Sequence, residues 1–435
     1  MADYVPSSEK ETESMLAAVG AASMDDLFAD VPSGVYRKEV DIPSGKSELE
    51  VLRLLEKMGS RNRVYPSVFR GAGAYRHFIP SIVRQAVGKE AFRTTYTPYQ
   101  AEISQGVLQS IFEYQTEICE LTGMDVSNAS VYDGATAAAE AIFMCLERKK
   151  TSVLVSAAIH PMDLEVMKTY CASRNVPLEI IPAKDGVTDA EALKEKLSKE
   201  TACVYFQSPN FYGNIEDAET LTAVSHEAGA KVIMGVNPIS LGLLKTPGEY
   251  GADIAVGDGQ PLGMPLSFGG PYMGFMTTTA KMMRKLPGRI VGETTDSEGK
   301  RCYVLTLQAR EQHIRREKAS SNICSNEALC VMAAGAYMAA EGPEGMKETA
   351  LQCYAKAHYL AEKLGEIGYT RVHTAPFFHE FLTVSPVPAE EALKKLEAKG
   401  ILGGLPTEEG ILWCATELNT KEEMDLLVET LKEGM

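Results

Sequence analysis

From about residue 128 the chain sets short apolar runs against amphipathic stretches in a steady alternation. "NASVYD" (128–133) is strand-like and leads into "TAAAEAIFMCLER", whose apolar residues recur at helical spacing. "SVLVSAAIH" repeats the strand pattern and "MDLEVMKTYCASRN" the helical one. The runs "LEIIPA", "ACVYFQSP", "KVIMGV" and "DIAVGD" follow. A second strand is expected beyond the last of these, entered through Gly269-Gly270-Pro271. Strands that are apolar on both faces, with amphipathic helices between them, predict a mostly parallel sheet with helices on both faces.

The rhythm differs at both ends. The first 60 residues read as an arm of short helices, with "SMDDLFADVP" capped by Ser23 and "SELEVLRLLEKMG" starting at Ser47. A long helix is expected over 103–123, closed by its glycine. After about 325, long helices ("NEALCVMAAGAYMAAEG", "GMKETALQCYAKAHYLAEKLGEIG") lead to short strands ("EFLTVSP", "GILWCA") and two further helices ("PAEEALKKLEAKG", "KEEMDLLVETLKEG"). The predicted organisation is an arm at 1–60, a large α/β domain at 61–330 and a smaller C-terminal α+β domain at 331–435, with the change of rhythm between 325 and 345.

Charge narrows the function. Lys and Arg total 43 against 59 Asp and Glu, a net charge of −16, which argues against a nucleic-acid partner. No apolar run approaches the roughly 20 residues that span a bilayer, and the N-terminus lacks a basic region before an apolar core. None of the nine cysteines forms a Cys-x-x-Cys pair, so no structural zinc site is expected. A reducing cytoplasm is the simplest compartment.

The sheet pattern raises the chemistry of pyridoxal phosphate. That cofactor needs a glycine turn before a helix for its phosphate, a flat group over its ring, an acid at its pyridine nitrogen and a lysine for its aldehyde. Gly134-Ala135-Thr136, after Asp133, has the form of the phosphate turn, although Asp133 would repel a phosphate and also suits a plain helix cap. His160, at a strand end before Pro161, suits the flat group, or a hydrogen-bonded structural histidine. The acid is missing, because the strand "KVIMGVNPISLG" offers only Asn237. The lysine is missing too: the loop reads Gly257-Asp258-Gly259-Gln260-Pro261. Lys245 precedes the strand, and Lys281 and Lys285 lie in a helix after the loop.

Four stretches carry a family resemblance: "FRGAGAYRHFIPSIV" (69–83), "FRTTYTPYQAEISQGVLQSIFEYQT" (92–116), "VYDGATAAAEA" (131–141) and "REKASSNICSNEAL" (316–329). They resemble the glycine decarboxylase (P-protein) family of the glycine cleavage system, over nearly the whole chain, and the missing lysine fits the α-type half of its two-subunit form. The resemblance implies a pyridoxal-phosphate-dependent transferase-like fold and an α2β2 assembly. The β subunit would hold pyridoxal phosphate covalently and this chain would hold none. Glycine would be decarboxylated and its aminomethyl group passed to the lipoyl arm of H-protein.

By the same resemblance, Ser320, Ser321 and Asn322, with Arg316 and Lys318 nearby, are expected to reach the cofactor phosphate of a neighbouring subunit; the competing reading is a cap for the helix that follows. Tyr96, Tyr99, Gln100 and Glu102 are expected to line the shared site, or else to pack an interface. Gly71, Gly73, Tyr75 and His77 are expected to wall the channel for the lipoyl arm, His77 being also a plain structural histidine. Gly134, Ala135, Thr136, His160, Asn237 and Gln260 form a vestigial cofactor pocket. Arg70 departs from the family pattern, which commonly has leucine there. Two alternatives remain: a self-sufficient enzyme using a displaced lysine, and a non-catalytic regulatory protein of the same fold.

Overall fold

The computed structural model describes residues 7–37, 41–93, 97–323 and 327–433, with nothing said of the Arg93 side chain. The chain divides into two compact units, Met1–Val64 and Tyr65–Met435.

The first unit carries helices α1 (Glu9–Val19) and α2 (Glu48–Gly59), with a short 3-10 turn at Met24–Phe28. Ser8 and Ser47 cap the helices, and each cap is completed by a glutamate three residues on. Neither helix buries any residue, and Leu49, Leu52, Leu55 and Met58 all stay exposed.

The second unit is built on a seven-stranded sheet. Its strands are β1 (Val126–Ser127), β2 (Ser152–Ser156), β3 (Leu178–Ile181), β4 (Thr201–Gln207), β5 (Lys231–Gly235), β6 (Ile254–Asp258) and β7 (Gly274–Thr278), in the order β1-β7-β6-β5-β4-β2-β3. Strands β3, β2, β4, β5 and β6 pair in parallel, and β7 runs antiparallel to β6 and β1. The sheet matches the predicted pattern except at 128–133. There the chain makes only the bond from Asn128 N to Met276 O and the bridge Val131↔Gly274, because Ala129 N turns away to Arg289 O while the Asn128 side-chain amide donates to Pro287 O.

Helix α3 (Gln105–Thr122) ends on Gly123 in the left-handed region and packs its Leu108, Ile111 and Tyr114 into the core on one sheet face. Helices α4 (Gly134–Cys145) and α5 (Pro161–Ser173) cover the other face. The periodicity does not announce a hairpin of β8 (Ile290–Thr295) and β9 (Arg301–Thr306), whose distal turn is fully polar. Helix α3 holds it: the Gln105 amide bonds both backbone groups of Tyr303, and Gln115 does the same to Val291.

The two helices expected after 326 run end to end as α6 (Ala328–Glu366), separated by the non-helical backbone of Gly342 (φ 63°, ψ 179°) just before Pro343. As far as Cys353 its buried residues belong to the sheet core. From Ala357 on they pack a separate core with Phe381, Trp413 and Leu427, from strands β10 (Glu380–Thr383) and β12 (Gly410–Cys414) and helix α8 (Lys421–Lys432). Between these lie helix α7 (Ala389–Ala398) and the short strand β11 (Leu405–Thr407), the edge partner of β12. This is a large α/β body with a smaller α+β region behind it.

Candidate functional site

The carboxyl ends of β4, β5 and β6 open into a cleft of about 690 Å³, where ligands bind in sheets of this kind. Its walls come from the 72–75 loop, the N-termini of α4 and α5, the three strand ends, and His379 and Glu380 at the start of β10.

The start of α4 is already occupied by the chain's own acids. The Asp133 carboxylate accepts from Thr136 N at 2.7 Å, and Asp258 accepts from Gly134 N at 3.1 Å and Gln260 N at 2.8 Å. These N–H groups are the ones an anion would need. Gly134 permits the approach, since a Cβ there would lie 2.8 Å from Asp258 N. Burial pushes the Asp258 carboxyl up to about 7; its two backbone hydrogen bonds oppose this, and Asp133 and Asp163 add to it.

The 257–261 loop carries no lysine, and its Gln260 is buried and fully engaged. It accepts from Tyr75 N and donates to Tyr75 O and Met264 O, each at 2.8 Å. The same loop is tied from the other side by Glu380, which accepts from Ala72 N at 2.6 Å and from the Tyr75 hydroxyl at 2.7 Å. Glu380 is buried, and that burial raises it to about 7 against the pull of those two bonds.

His160 is equally engaged. Its Nδ1 accepts from Met162 N at 3.2 Å, which leaves Nε2 to donate to Ala72 O at 3.0 Å. Gly73 lies so close to the ring that a Cβ would stand 2.8 Å from Nε2. The 72–73 backbone therefore covers part of the histidine that a cofactor ring would need. Asn237 turns its oxygen to Ile239 N at 3.0 Å and its amide toward His379 Nε2 at 3.5 Å. Burial drives His379 down to about 3, with His77 nearby adding to the effect, so the ring is neutral.

The other expected residues lie outside this cleft. Tyr99 is exposed with the Arg289 guanidinium 4.3 Å over its ring, and Gln100 and Glu102 are exposed. Tyr96 lies outside the described residues. Ser320 and Asn322 are exposed, while Ser321 is buried and accepts from Ile323 N at 3.0 Å. Arg316 and Lys318 are exposed beside them. His77 is interior: its Nδ1 meets Glu417 at 2.7 Å, on a carboxylate that also accepts from Phe78 N. Gly71 packs on Glu380, where a Cβ would fall 2.5 Å from Oε1. Arg70 grips the carbonyls of Gly403 and Gly404 at 3.1 and 2.8 Å, tying the loop to the segment before β11. Lys245, Lys281 and Lys285 are all at the surface, and no lysine among the described residues lines the cleft.

Sequence reasoning passed over Asp163, Asp258, His379 and Glu380. Asp258 stood in the quoted loop, two residues before Gln260, and a carboxylate beside a phosphate turn was the available signal. Glu380 and His379 come from the far end of the chain and carry no local signal. Asn237 offers a ring nitrogen no charge at the expected strand end, no lysine among the described residues lines the cleft for an aldehyde, and the N–H groups of the phosphate turn are held by two carboxylates. The residues present do not fit pyridoxal phosphate.

Fold and cleft place the chain among proteins built like pyridoxal-phosphate-dependent enzymes. An alanine–glyoxylate aminotransferase from Nostoc sp. shares the architecture, with TM-score 0.60 over 92% of this chain and 97% of that one at 16% identity. The profile of the glycine cleavage system P-protein matches residues 2–431, and the chain belongs to that family. A crystal structure of glycine decarboxylase (P-protein) in inhibitor-bound form superposes with TM-score 0.93, at 43% identity and full coverage of both chains. The probable glycine dehydrogenase (decarboxylating) subunit 1 of Moorella thermoacetica is 50% identical, covering 99% of each chain. The protein of the same description from Bacillus subtilis is 47% identical over 98% of each. Among the described residues, no helix is long and apolar enough to cross a membrane.

Proposed function

We propose that this chain is the half of a two-subunit glycine decarboxylase that holds no cofactor of its own and completes the site of a β-type partner. In the assembly, glycine loses CO2 on pyridoxal phosphate held covalently by the partner. The remaining aminomethyl group passes to the lipoyl arm of H-protein. The cofactor supplies the electron sink that decarboxylation requires.

The observation that carries the reading is a 257–261 loop without lysine, whose buried Gln260 is clasped by three hydrogen bonds to backbone. A group so engaged is a structural replacement, and the shape it preserves is the shape of the family's fold. The acids at the start of α4 support the same division of labour.

What this chain lends is positioning. Ser320, Ser321 and Asn322, flanked by Arg316 and Lys318, have the hydroxyl, amide and guanidinium donors that suit the phosphate of a neighbouring subunit. Tyr99, Gln100 and Glu102, with Tyr96, line the shared site. Gly71 and Gly73 form a wall of the lipoyl channel, and His77 steadies that wall from inside through Glu417. The surface positions of Lys245, Lys281 and Lys285 weigh against a displaced-lysine enzyme.

The test is reconstitution. The chain alone, treated with pyridoxal phosphate and borohydride, is expected to give no stoichiometric lysine adduct by intact mass. With its β-type partner it is expected to support exchange of labelled CO2 into glycine, which neither chain supports alone. A single clean adduct on this chain would overturn the reading.

A further inference from the structure

Three separate parts of the second unit meet where α6 passes from the sheet core to the C-terminal core. His77 comes from the loop that follows the cleft wall, Cys353 from α6, and Glu417 from the turn between β12 and α8. His77 and Cys353 stand 340 and 64 positions from Glu417 along the chain, which is why cysteine spacing gave no sign of them.

The 416–419 turn is pinned on both sides. Thr416 N donates to Asn419 Oδ1 at 2.9 Å, and the Thr416 hydroxyl donates to Arg76 O at 2.8 Å, beside His77. Phe78 N donates to Glu417 Oε1. The other oxygen, Oε2, faces His77 Nδ1 at 2.7 Å and Cys353 Sγ at 3.3 Å. One nitrogen, one oxygen and one sulfur thus lie within 4.8 Å of one another. Around a tetrahedral ion with bonds of about 2.0–2.3 Å, adjacent ligand atoms stand roughly 3.3–3.6 Å apart. The sulfur–oxygen separation already fits. The nitrogen–oxygen pair has to open by about half an ångström.

Charge is a second, independent observation. His77 and Cys353 are buried and Glu417 is half-buried. Burial works against the Glu417 charge, but the bonds from His77 and Phe78 N outweigh it and hold the carboxyl below its usual range. Among the described residues no Lys or Arg forms an ion pair with that carboxylate; Lys356 donates to the Glu417 carbonyl instead. The Cys353 thiol is pushed well up by burial and by Glu417 beside it, so on its own it keeps its proton. A bound dication reverses that preference. Thiolate and carboxylate together then carry the two negative charges that neutralise one dication.

We propose that His77 Nδ1, Cys353 Sγ and Glu417 Oε2 form a site for one divalent cation of the zinc type, which ties the loop after the cleft wall to α6 and to the C-terminal region. A borderline ion suits nitrogen, oxygen and thiolate in one set, whereas magnesium and calcium ask for oxygen ligands. On binding, a metal–sulfur bond forms, the thiol proton leaves to solvent, and the imidazole hydrogen moves from Nδ1 to Nε2. Water takes the fourth position. The way in passes Glu417, whose side chain is 14% exposed. The inference stands whether or not the chain works beside a cofactor-bearing partner.

The experiment uses the full chain without a tag, stripped by a chelator and kept in a non-thiol reductant. Cobalt(II) is titrated as the spectroscopic probe, with zinc(II) as competitor and magnesium as the hard-ion control. We expect one equivalent of cobalt to raise a near-ultraviolet thiolate-to-cobalt charge-transfer band. Zinc abolishes that band, and excess magnesium leaves it. Cys353→Ser is expected to remove it. His77→Gln and Glu417→Gln are each expected to weaken cobalt binding at least about tenfold, the least that losing even an indirect partner of a metal costs. If one variant fails to fold, the others carry the test, and the wild-type band with its zinc competition needs no variant. Absence of the band in the wild-type chain would overturn the proposal. A band that survives Cys353→Ser would put the ion on another of the nine cysteines, and unchanged affinity in both His77→Gln and Glu417→Gln would leave only a lone thiol; either result also overturns it.

Discussion

The cleft and the segment from Arg289 to Ile323 respond to charge in opposite ways. In the cleft, Glu380 is buried and Asp258 half-buried, neither with a Lys or Arg ion pair among the described residues, and burial raises both to about 7. In the segment, Arg289 is buried against Glu311, while Arg315, Arg316 and Lys318 stay exposed. The first region has kept a cavity and lost what an anionic cofactor needs. The second holds those three cations at the surface, beside a smaller pocket of about 320 Å³ that Asn322 and Ile323 line with Glu140 and Arg174.

The comparison breaks first at Arg289. Its removal strands the Glu311 carboxylate, which is 6% exposed. Arg289→Ala is expected to cost about 3–5 kcal/mol in urea unfolding; a loss below about 1 kcal/mol would mean that the segment holds together by other means. Gln260→Ala comes next. It leaves Tyr75 N, Tyr75 O and Met264 O without their partner and opens a space, for an expected loss of about 2–4 kcal/mol. Limited proteolysis within 71–76 should accelerate with it.

Asp258→Asn should act in the other direction. The folded chain keeps a proton on Asp258 that the unfolded chain releases near 3.8, so wild-type stability falls as pH rises from about 4 to about 7. Asparagine removes that slope and one of two accepted hydrogen bonds. The net expectation is a gain of about 1–2 kcal/mol at pH 8 and none at pH 4, read from unfolding curves at both pH values. A variant with the wild-type slope would show that Asp258 is already ionised without penalty. The smallest effect on stability belongs to Ser320→Ala with Asn322→Ala, expected within about 0.5 kcal/mol of wild type. In the reconstituted assembly the same pair should lower glycine–CO2 exchange about tenfold, roughly the loss of one charge-assisted hydrogen bond, with the partner's cofactor released more easily.

Much of the sheet was legible in the chain because parallel strands buried on both faces write long apolar runs. "ACVYFQSP" and "KVIMGV" became β4 and β5 with every residue of Thr201–Phe206 buried. The β8–β9 hairpin was not legible, because what holds it is two glutamines of α3 on its backbone rather than an apolar alternation of its own. In the site, the losses at Asn237 and Gln260 could be read directly, since a missing amine and a missing acid are visible in one dimension. What fills their place could not: Glu380 reaches Tyr75 across 305 positions, and only folding brings them together.

The N-terminal helices bear on how the protein can be produced. Within its own unit, nothing buries the apolar residues of α2 at 49, 52, 55 and 58. Such a surface invites chaperone capture and self-association. Yield and monodispersity should therefore depend on co-translation with whatever covers these helices, and a preparation of the isolated chain would be limited by colloidal behaviour before it is limited by folding.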